Sequence, residues 1–572
     1  MKFSDKIWHD RYAHAGENSW SDSAKRIAKF VSNGEVPEKQ EEYFKKFFDI
    51  IDTKDFIPGG RILTNSGRPR GQLLNCFVIP LEDSRESIGQ MLKEYLTISG
   101  TGGGVGISFS KLRPKGAGIV TNGGSSSGPV SFMDCVDTVA STIKTGGQRR
   151  AATMISMSVY HPDIEEFISH KIDLSKLTNA NVSIEADDKF FEAVRKNKSW
   201  DLIWGSKVLK TINARDIWDK VVENANQSGE PGILNIGYAR KMSNSFYFDD
   251  LLTTNPCGEQ FLPAYGCCCL GSINLSNFVK NSEFQWTRFK SIIETSIRFL
   301  DDVLAVNTYP LSEIQAQSMK ERRIGLGLMG LHHAMLKLGI KYSSKLGVEF
   351  TEKVYELLRN KSYLASSLIA AEKGVFTAYD AEEYLNSGFV KNLPTKIRDS
   401  IRKNGMRNVC VNTQAPTGTT SIIADVSSGI EPIFAPMYRR RYNSDQGMQE
   451  EILIDPLLDE FIKNDLSVSH FEGAYDIAPE KHFVIQETAQ RYIDSAVSKT
   501  INLPEDYTPE NLKKIWLKHV DELKGTTLYR SGSRGKEPLS PMPLDPKLAK
   551  ELAKKDDHVE STSACKDGTC DL

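Results

Sequence analysis

A short segment near the middle of the chain carries three side chains that can do chemistry together. It reads Asn255-Pro-Cys257-Gly-Glu259. In an extended segment alternate side chains share one face, so the amide, the thiol and the carboxylate lie on the same side. The thiol can serve as a radical or a nucleophile, the carboxylate as a general base, and the amide as an orienting hydrogen-bond group. This combination predicts an active site.

Five of the other eight cysteines fall into two groups. Cys135 and Cys410 have no polar groups grouped around them in sequence, and we predict that they are small buried apolar side chains. The triplet Cys267, Cys268 and Cys269 follows the Cys257 segment. Three adjacent side chains cannot all point the same way, so one or two of them at most face a given cleft.

The composition narrows the class of protein. The chain has 572 residues with 72 basic and 74 acidic side chains, which favours neither a nucleic-acid nor an anionic membrane partner. The N-terminus MKFSDKIWHDRYAH has no apolar signal region, and no run of about 18 apolar residues occurs. Nine cysteines without an export signal argue against a disulfide framework. A soluble, cytoplasmic protein with reduced thiols is expected.

Three parts are predicted along the chain: a helical region at 1–58, a catalytic domain at 59–530 and a flexible tail at 531–572. Strand-like apolar runs mixed with helical segments favour one large α/β domain for the middle part. The tail is rich in proline and polar residues and ends in ESTSACKDGTCDL. A flexible chain between Ser531 and Ala564 would reach roughly 30–35 Å, enough to carry two thiols into a cleft.

Individual elements can also be predicted. Residues 21–33 form an amphipathic helix that ends at Gly34, and the segments 288–304 and 351–373 have helical apolar periodicity. LLNCFVIPL (73–81) is a buried-strand candidate.

Three glycine-containing segments are candidate ligand loops. GTGGGVG (100–106) has the glycine density of a phosphate loop but no complete phosphate motif, and a tight structural turn is about as good an interpretation. QAPTGTTSII (414–423) combines a turn, a helix start and several hydroxyl groups, which suits phosphate as well as an ordinary helix cap. KTGGQRRAA (144–152) offers guanidinium groups to a nucleotide, although a solvated basic turn is the more frequent outcome.

Seven motifs in this order resemble the catalytic subunit of ribonucleotide reductase: LLNCFV, GTGGGVG, KTGGQRRAA, NPCGE, CCLGSINL, ERRIGLGLMG and APTGTTSIIADVSSGIEP. The resemblance covers roughly residues 55–535. It implies a ten-stranded α/β barrel built from two five-stranded halves, with a loop that carries a radical cysteine into its centre.

The resemblance also implies roles for the site residues. Cys257 would be the thiyl radical that takes the 3′ hydrogen of the ribose, Glu259 the base on the 3′-hydroxyl, and Asn255 a substrate hydrogen-bond group. Cys76 and one cysteine of the triplet would be the reducing pair. The family pattern Cys-x-Leu-Gly-Ser selects Cys268, although its cysteine neighbours leave the pairing open.

Two further sets of residues follow from the resemblance. A tail dithiol would pass electrons to the reducing pair from a thioredoxin- or glutaredoxin-like reductant; it consists of Cys565 and Cys570. The substrate phosphates would lie on a short segment: Thr417, Gly418, Thr419, Thr420 and Ser421.

The source of the radical distinguishes the classes of the family. Members that use a separate metal-containing subunit carry adjacent tyrosines, whereas Tyr529 is followed here by Arg530. The glycyl-radical motif Arg-x-x-Gly-Tyr is absent from the C-terminus. The adenosylcobalamin-dependent class is therefore expected, with a large subunit of the metal-dependent class as the alternative. A nucleotide-binding regulator without catalysis is disfavoured because the reactive side chains are retained together.

Regulation by a dNTP or ATP specificity effector is expected on the same resemblance. Asp83 and Ser84 match effector contacts, and the loop that connects effector to substrate base comprises Lys144, Gly146, Gly147, Gln148 and Arg149. The N-terminal ATP cone of the family has no room before Cys76, so on/off control by ATP and dATP is not expected. The effector site of the family lies between subunits, which implies a homodimer.

Overall fold

The N-terminal part is helical, as predicted. The structure, a computed structural model, describes residues 3–120, 123–145, 149–150, 152–444, 447–533 and 539–553. Its first helices are α1 (Phe3–Arg11), α2 (Trp20–Val31) and α3 (Pro37–Asp52). A capping box starts α2, because the Ser19 hydroxyl accepts from the Asp22 amide while the Asp22 carboxylate accepts from the Ser19 amide. The helix predicted at 21–33 is thereby confirmed, with a 3-10 turn at Ser32–Gly34.

The remaining helices surround the sheets. In chain order they are α4 (Gly60–Asn65), α5 (Arg85–Gly100), α6 (Pro129–Thr142), α7 (Ile164–His170), α8 (Asp188–Arg195), α9 (Ala214–Ser228), α10 (Ile236–Lys241), α11 (Trp286–Val306), α12 (Ser312–Glu321), α13 (Leu331–Lys337), α14 (Lys345–Lys373), α15 (Ala381–Asn386), α16 (Thr395–Asn404), α17 (Gly418–Ile423), α18 (Pro456–Lys463), α19 (Pro479–Gln490), α20 (Pro509–His519) and α21 (Pro546–Leu552). No helix among the described residues is long and apolar enough to cross a membrane.

The strands are mostly short. In chain order they are β1 (Phe56–Pro58), β2 (Cys76–Val78), β3 (Gly104–Ser108), β4 (Gly118–Ile119), β5 (Gly124–Ser125), β6 (Lys144–Thr145), β7 (Arg149–Arg150), β8 (Thr153–Ser158), β9 (Ala180–Ala186), β10 (Ser199–Trp204), β11 (Lys207–Asn213), β12 (Gly232–Asn235), β13 (Thr253–Thr254), β14 (Phe261–Leu262), β15 (Cys267–Cys268), β16 (Leu270–Asn274), β17 (Val279–Lys280), β18 (Glu283–Phe284), β19 (Gly325–Met329), β20 (Met437–Ser444), β21 (Gly447–Ile454), β22 (Thr500–Leu503), β23 (Gly525–Arg530) and β24 (Leu539–Met542).

The largest sheet has eight strands in the order β15-β2-β3-β8-β9-β12-β23-β22. Strands β2, β3, β8, β9 and β12 run parallel to one another, while β15 and β23 pair with them in the antiparallel sense. Nearly every residue of β8, β9 and β12 is buried, as expected for parallel strands covered on both faces.

A second sheet has the order β1-β16-β19. A single residue separates β15 from β16, so one strand run belongs to both sheets. Two isolated bridges, Leu326 with Asn412 and Gln414 with Val497, extend the pairing from β19 toward the segment that leads into β22. The described fold is thus a mixed α/β structure in which the two sheets share strands.

Two long helices confirm the periodicity predicted for them. The segment 288–304 lies within α11 and the segment 351–373 lies within α14, and these helices pack against each other. Gly374 caps α14 through its amide, which donates to the Ala370 carbonyl over 2.9 Å. Their buried faces join one extensive apolar core.

The predicted flexible tail is wrong for residues 539–553. Strand β24 pairs with β20, and α21 packs on α18 within an apolar cluster that includes Leu458, Phe461, Ala549 and Leu552. The physical reason is that β20 offers unpaired backbone groups and α18 offers an apolar face, which a few apolar residues of the tail suffice to cover. Cys565 and Cys570 lie outside the described residues.

Candidate active site

The Cys257 segment forms the tip of a hairpin, which we call the Cys257 loop (residues 253–262). Strands β13 and β14 pair at its base. The Asn255 amide donates to the Gln260 carbonyl over 3.2 Å, and the Gly258 amide donates to the Asn255 carbonyl over 3.0 Å. Gly258 has a φ of 76°, a conformation that glycine adopts without strain. The thiol of Cys257 is held at a half-buried tip.

Glycines of the GTGGGVG motif let the Cys257 loop approach β3. A Cβ atom at Gly106 would lie 1.9 Å from the Thr254 carbonyl oxygen, and a Cβ at Gly104 would lie 2.8 Å from Pro256 Cγ. Either contact would displace the loop. In the described structure these two glycines lie in a strand, so close packing of the loop accounts for them without a phosphate ligand.

Cys76 and Cys268 face each other across the sheet. They are paired residues of the antiparallel strands β2 and β15. The Cys268 thiol donates to the Cys76 carbonyl oxygen over 3.6 Å, and the Asn255 side-chain amide donates to Cys76 Sγ over 3.5 Å. Burial, and secondarily a hydrogen bond with the Cys76 thiol, holds the pKa of Cys268 well above its usual range. The two thiols and the Cys257 loop thus lie in one network.

The neighbours of Cys268 point away from this network. Cys267 and Cys269 belong to the main apolar core, and the Cys269 thiol donates to the Leu300 carbonyl over 3.5 Å. Burial raises the pKa of Cys267 to about 12. Side-chain alternation along this strand run therefore turns Cys268 toward Cys76 and turns the other two into the core.

Glu259 is a buried carboxyl group at the side of the Cys257 loop. It is 2 % exposed, and burial raises its pKa to about 7, an effect that a hydrogen bond from Asn255 partly opposes. Its Oε2 atom has no hydrogen-bond partner among the described residues. Its backbone carbonyl accepts from the Thr413 hydroxyl over 2.6 Å and from the Ala496 amide over 2.8 Å. A fixed carboxyl group with a pKa near neutrality can exchange a proton with a ligand.

The predicted phosphate segment begins next to the thiol pair. Ala415 packs with Cys76 and Cys268, and α17 starts three residues later. Thr417 has a φ of 56°, an uncommon value outside glycine, and its hydroxyl accepts from the Gly429 amide over 2.7 Å. We call residues 417–421 the phosphate segment. Its member Ser421 shares a hydrogen bond of 2.8 Å with Ser428, so that hydroxyl already has a protein partner.

Cys257 also lines a cleft of about 740 Å³, a volume that includes space open to solvent. The walls come from β9, β12, β23 and the segment that leads into β22, with Asn181, Ser183, Lys499 and Thr527 among the lining residues. The Asn181 side-chain amide donates to the Pro256 carbonyl over 3.0 Å, which fixes the peptide directly before Cys257. Sequence reasoning missed Asn181 and Thr413, because neither lies in a local motif with the loop that it contacts.

Tyr529 lies on β23, and the Arg530 guanidinium is engaged elsewhere. Its Nε donates to the Asn226 carbonyl over 2.8 Å and its Nη1 donates to the Glu505 carbonyl over 2.9 Å. These two contacts give Arg530 a structural role at the end of β23.

The predicted effector residues have structural partners. Asp83 forms an ion pair of 2.9 Å with Arg113, and the Ser84 hydroxyl caps α5 by accepting from the Ser87 amide over 3.0 Å. The backbones of Lys144 and Arg149 lie in the paired strands β6 and β7, and α5 contacts β6. The loop residues between these strands lie outside the described residues: Gly146, Gly147 and Gln148.

The burial predicted for two cysteines is half right. Cys410 is buried as expected, although Arg323, distant in sequence, donates to its sulfur over 3.1 Å. The prediction for Cys135 is wrong, since it is exposed on α6. The buried face of that helix is formed by Met133, Val136 and Ala140, which leaves Cys135 on the other side.

Comparison with known proteins agrees with this geometry. Residues 74–529 match the family model described as the ribonucleotide reductase barrel domain, and residues 2–71 match that of its all-alpha domain. A protein of Thermoplasma acidophilum named vitamin B12-dependent ribonucleoside-diphosphate reductase is 36% identical, with 92% of this chain and 72% of that protein covered. A protein of the same name from Mycobacterium tuberculosis H37Rv is 32% identical, with 99% and 81% covered. This chain belongs to the ribonucleotide reductase family.

Proposed function

We propose that the chain is a self-sufficient catalytic chain that reduces ribonucleoside diphosphates to 2′-deoxyribonucleoside diphosphates with adenosylcobalamin as its radical source. One observation carries the proposal: the loop that bears Cys257 and Glu259 contacts, through the Asn255 side-chain amide, the sulfur of Cys76, which is paired with Cys268 across adjacent strands. The names of the relatives at 32–36% identity support both the diphosphate substrate and the cofactor.

The Cys257 loop would activate the ribose. A thiyl radical on Cys257 takes the hydrogen from C3′, which leaves a substrate radical and a thiol. Glu259, with its pKa of about 7, accepts the proton of the 3′-hydroxyl. Asn255 is fully buried and orients the substrate by hydrogen bonding.

The facing thiols would carry out the reduction. The 2′-hydroxyl leaves as water after it receives a proton from one thiol of the pair. The pair then gives its second hydrogen atom to C2′ and, as the Cys76–Cys268 disulfide forms, supplies a further electron while Glu259 returns its proton to the 3′ oxygen. The Cys257 thiol finally returns its hydrogen to C3′, which restores the thiyl radical. The balance is one ribonucleotide and one dithiol to one deoxyribonucleotide, one disulfide and one water. Cys565 and Cys570 would restore the pair by thiol exchange and be reduced in turn by a thioredoxin- or glutaredoxin-like protein.

We propose that the cleft beside Cys257 receives the reactive part of adenosylcobalamin, with the rest of the cofactor toward the open side. The cleft has free space at two of its lining glycines: a Cβ at Gly258 would meet no atom within 4 Å, and one at Gly525 would meet its nearest atom at 3.7 Å. The lining residues Asn181, Ser183 and Thr527 would hold the cofactor. When bound, the cofactor supplies the radical that Cys257 needs. The engaged Arg530 disfavours the alternative, a path from a metal-containing subunit.

The substrate phosphates would bind at the phosphate segment. The start of α17 presents backbone amides, and the segment is adjacent in sequence to Ala415, which packs on the thiol pair. This proposal therefore includes each predicted member: Thr417, Gly418, Thr419, Thr420 and Ser421.

We further propose that the strands close into the ten-stranded α/β barrel of the family. The ladder of β15 on β2, the antiparallel pair of β12 and β23, and the two isolated bridges support closure. The domain boundaries proposed are a helical region at 1–58, the barrel at 59–530 and the remaining C-terminal segment.

A homodimer with a dNTP or ATP effector at Asp83 and Ser84 completes the proposal. The contact of α5 with β6 supports the effector part of this proposal, because Ser84 caps the start of α5 and β6 precedes residues 146–148 in the chain. Effector binding at Asp83 and Ser84 would then change the affinity for substrate at the loop 146–148.

The decisive experiment measures deoxynucleotide formation by the purified chain with CDP, a dithiol and a dNTP effector, with and without adenosylcobalamin. Product that requires the cofactor and no second protein is expected, and Cys257→Ala should abolish it while CDP still binds. Product without the cofactor, or turnover by Cys257→Ala, would contradict the proposal.

A further inference from the structure

The cleft beside Cys257 contains a lysine whose side chain is entirely buried. Lys499 has 0% side-chain exposure, and its ammonium donates to Glu431 Oε2 over 2.6 Å. The other carboxylate oxygen, Oε1, accepts from the Thr500 backbone amide over 2.6 Å. The Glu431 carboxylate therefore binds both the Lys499 ammonium and the Thr500 backbone amide at the start of β22.

The Lys499 end of this ion pair is fully buried and the Glu431 side chain is 24% exposed, so the cost of the pair lies mainly in burying the ammonium and its presence calls for a reason. Burial lowers the pKa of Lys499, while Glu431 opposes that effect. Two buried histidines, His332 and His482, lie close enough for the Lys499 charge to lower their pKa values further, after the larger effect of burial. Apolar side chains often replace such a pair without loss of stability, so a specific geometry is the better explanation for it.

Glu431 is attached to the phosphate segment. It ends the stretch 427–431 that follows α17. In that stretch the Gly429 amide donates to the Thr417 hydroxyl over 2.7 Å, and Ser428 shares its hydrogen bond with Ser421. The carbonyl of Ile430, the residue directly before Glu431, accepts from the Tyr342 hydroxyl over 2.6 Å. A displacement of Glu431 would therefore move the groups that shape the phosphate segment.

Lys499 is attached to the Cys257 loop. It belongs to the stretch 496–500, in which the Ala496 amide donates to the Glu259 backbone carbonyl over 2.8 Å. The Ser498 amide donates to the Gln414 carbonyl over 2.9 Å, just ahead of the phosphate segment. The same stretch lines the cleft at Ser498, Lys499 and Thr500. It contacts the catalytic loop on one side and the proposed cofactor space on the other.

We propose that the Lys499–Glu431 pair is a positioning element that ties the phosphate segment to the stretch holding the Cys257 loop, so that substrate binding and cofactor binding favour each other. The inference rests on the proposed function for the identity of the two ligands. Both residues act through the backbone that they hold, and neither is assigned a contact with reacting atoms. The coupling is reciprocal, since each ligand must raise the affinity of the other by the same factor.

The test compares the wild-type chain with Lys499→Met/Glu431→Leu, which removes both charges and leaves no buried ion unpaired. Glu431→Gln is the conservative variant, because its amide oxygen still accepts from Thr500. Lys518→Met is the matched control, since the Lys518–Glu480 pair is exposed, with 63% and 51% side-chain exposure. Equilibrium dialysis gives the Kd for CDP, and the optical spectrum gives the Kd for adenosylcobalamin with and without saturating CDP.

In the wild-type chain and in Lys518→Met, CDP should tighten cofactor binding by about fivefold or more. In the double variant that factor should fall to within about twofold of one, the Kd for CDP should rise about tenfold, and the circular dichroism spectrum should be unchanged. Glu431→Gln should fall between these limits. A double variant that folds and keeps the wild-type factor, or a wild-type chain without coupling, would overturn the inference. Failure of the wild-type chain to bind the cofactor would instead refute the proposed function.

Discussion

The two faces of the strand run at 267–270 present thiols in opposite settings. Cys268 lies on the face of Cys76 and the Cys257 loop, whereas Cys267 and Cys269 lie in the apolar core. All three are fully buried, and burial raises the pKa of each thiol. Burial and pKa therefore do not distinguish a reducing thiol from a packing thiol. The neighbours do, because only a thiol that faces a second thiol can form a disulfide without moving the backbone.

Among the three thiols of this strand run, the largest effect is expected at Cys268. Cys268→Ser removes the partner of Cys76, so no disulfide can form and the two electrons for reduction are lost. Turnover should fall by at least about 10⁴-fold, as expected when an essential group is removed. Steady-state deoxynucleotide formation measures this loss. Cys267→Ser is the matched control on the neighbouring residue, and equal losses in both variants would contradict the assignment.

The second prediction concerns Glu259 as a base. Glu259→Gln should lower turnover by about 10³-fold, within the range of general base catalysis. A base must be ionised, so wild-type activity should rise with pH up to about 7 and then level off, following the pKa of the carboxyl group. The pH profile of turnover in the variant should lack this rise. If turnover of Glu259→Gln shows the same rise with pH as the wild-type chain, the base is another group.

Stability provides an independent check on the same carboxyl group. The pKa of Glu259 is raised on folding from 4.5 to about 7, so its favourable contribution is present below pH 4.5 and is lost as the pH rises through 7. Glutamine does not ionise. Glu259→Gln should therefore match the wild-type free energy of unfolding at pH 4.5 and exceed it by up to about 3 kcal/mol above pH 7. Urea denaturation at the two pH values measures the difference.

Much of this site could be predicted from residue types and order. The Cys257 loop could be predicted because its three reactive side chains occupy alternate positions of one short segment, and the family pattern selects Cys268. Helices α11 and α14 could be predicted because their apolar faces repeat locally.

The features that could not be predicted from sequence depend on tertiary contacts. Cys135 lies between Met133 and Val136, two residues of the buried face of α6, but its own side chain is on the exposed side of that helix. The segment 539–553 has too few apolar residues for its strand and helix to be predicted from sequence. These elements form because they pair with β20 and pack on α18. Lys499 and Glu431 are 68 residues apart, so no local signal connects them. Sequence patterns predict local geometry and the chemistry of the family, whereas contacts between residues distant in the chain can be identified only from the structure.

The third prediction sharpens the role of the loop that faces Cys268. Gly106→Ala places a Cβ against the Thr254 carbonyl and should displace the Cys257 loop. A shift of about 1 Å in a catalytic group can cost about 100-fold in rate, and a loss of that size is expected. Gly118→Ala is the control, since a Cβ there meets no atom within 4 Å. Turnover and CDP affinity should be measured together, because a misplaced Cys257 lowers the rate more than it lowers binding.

The smallest effect belongs to the core face of the same strand run. Cys267→Ala leaves a small cavity in the apolar core, which should lower the free energy of unfolding by about 1 kcal/mol. Turnover at 25 °C should stay within about twofold of the wild-type value, because the native state remains populated. Cys269→Ala should behave alike, apart from the lost hydrogen bond to the Leu300 carbonyl. Urea denaturation and steady-state turnover test the pair. A large loss of turnover with little loss of stability in either variant would bring that thiol into the redox chemistry and erase the distinction between the two faces.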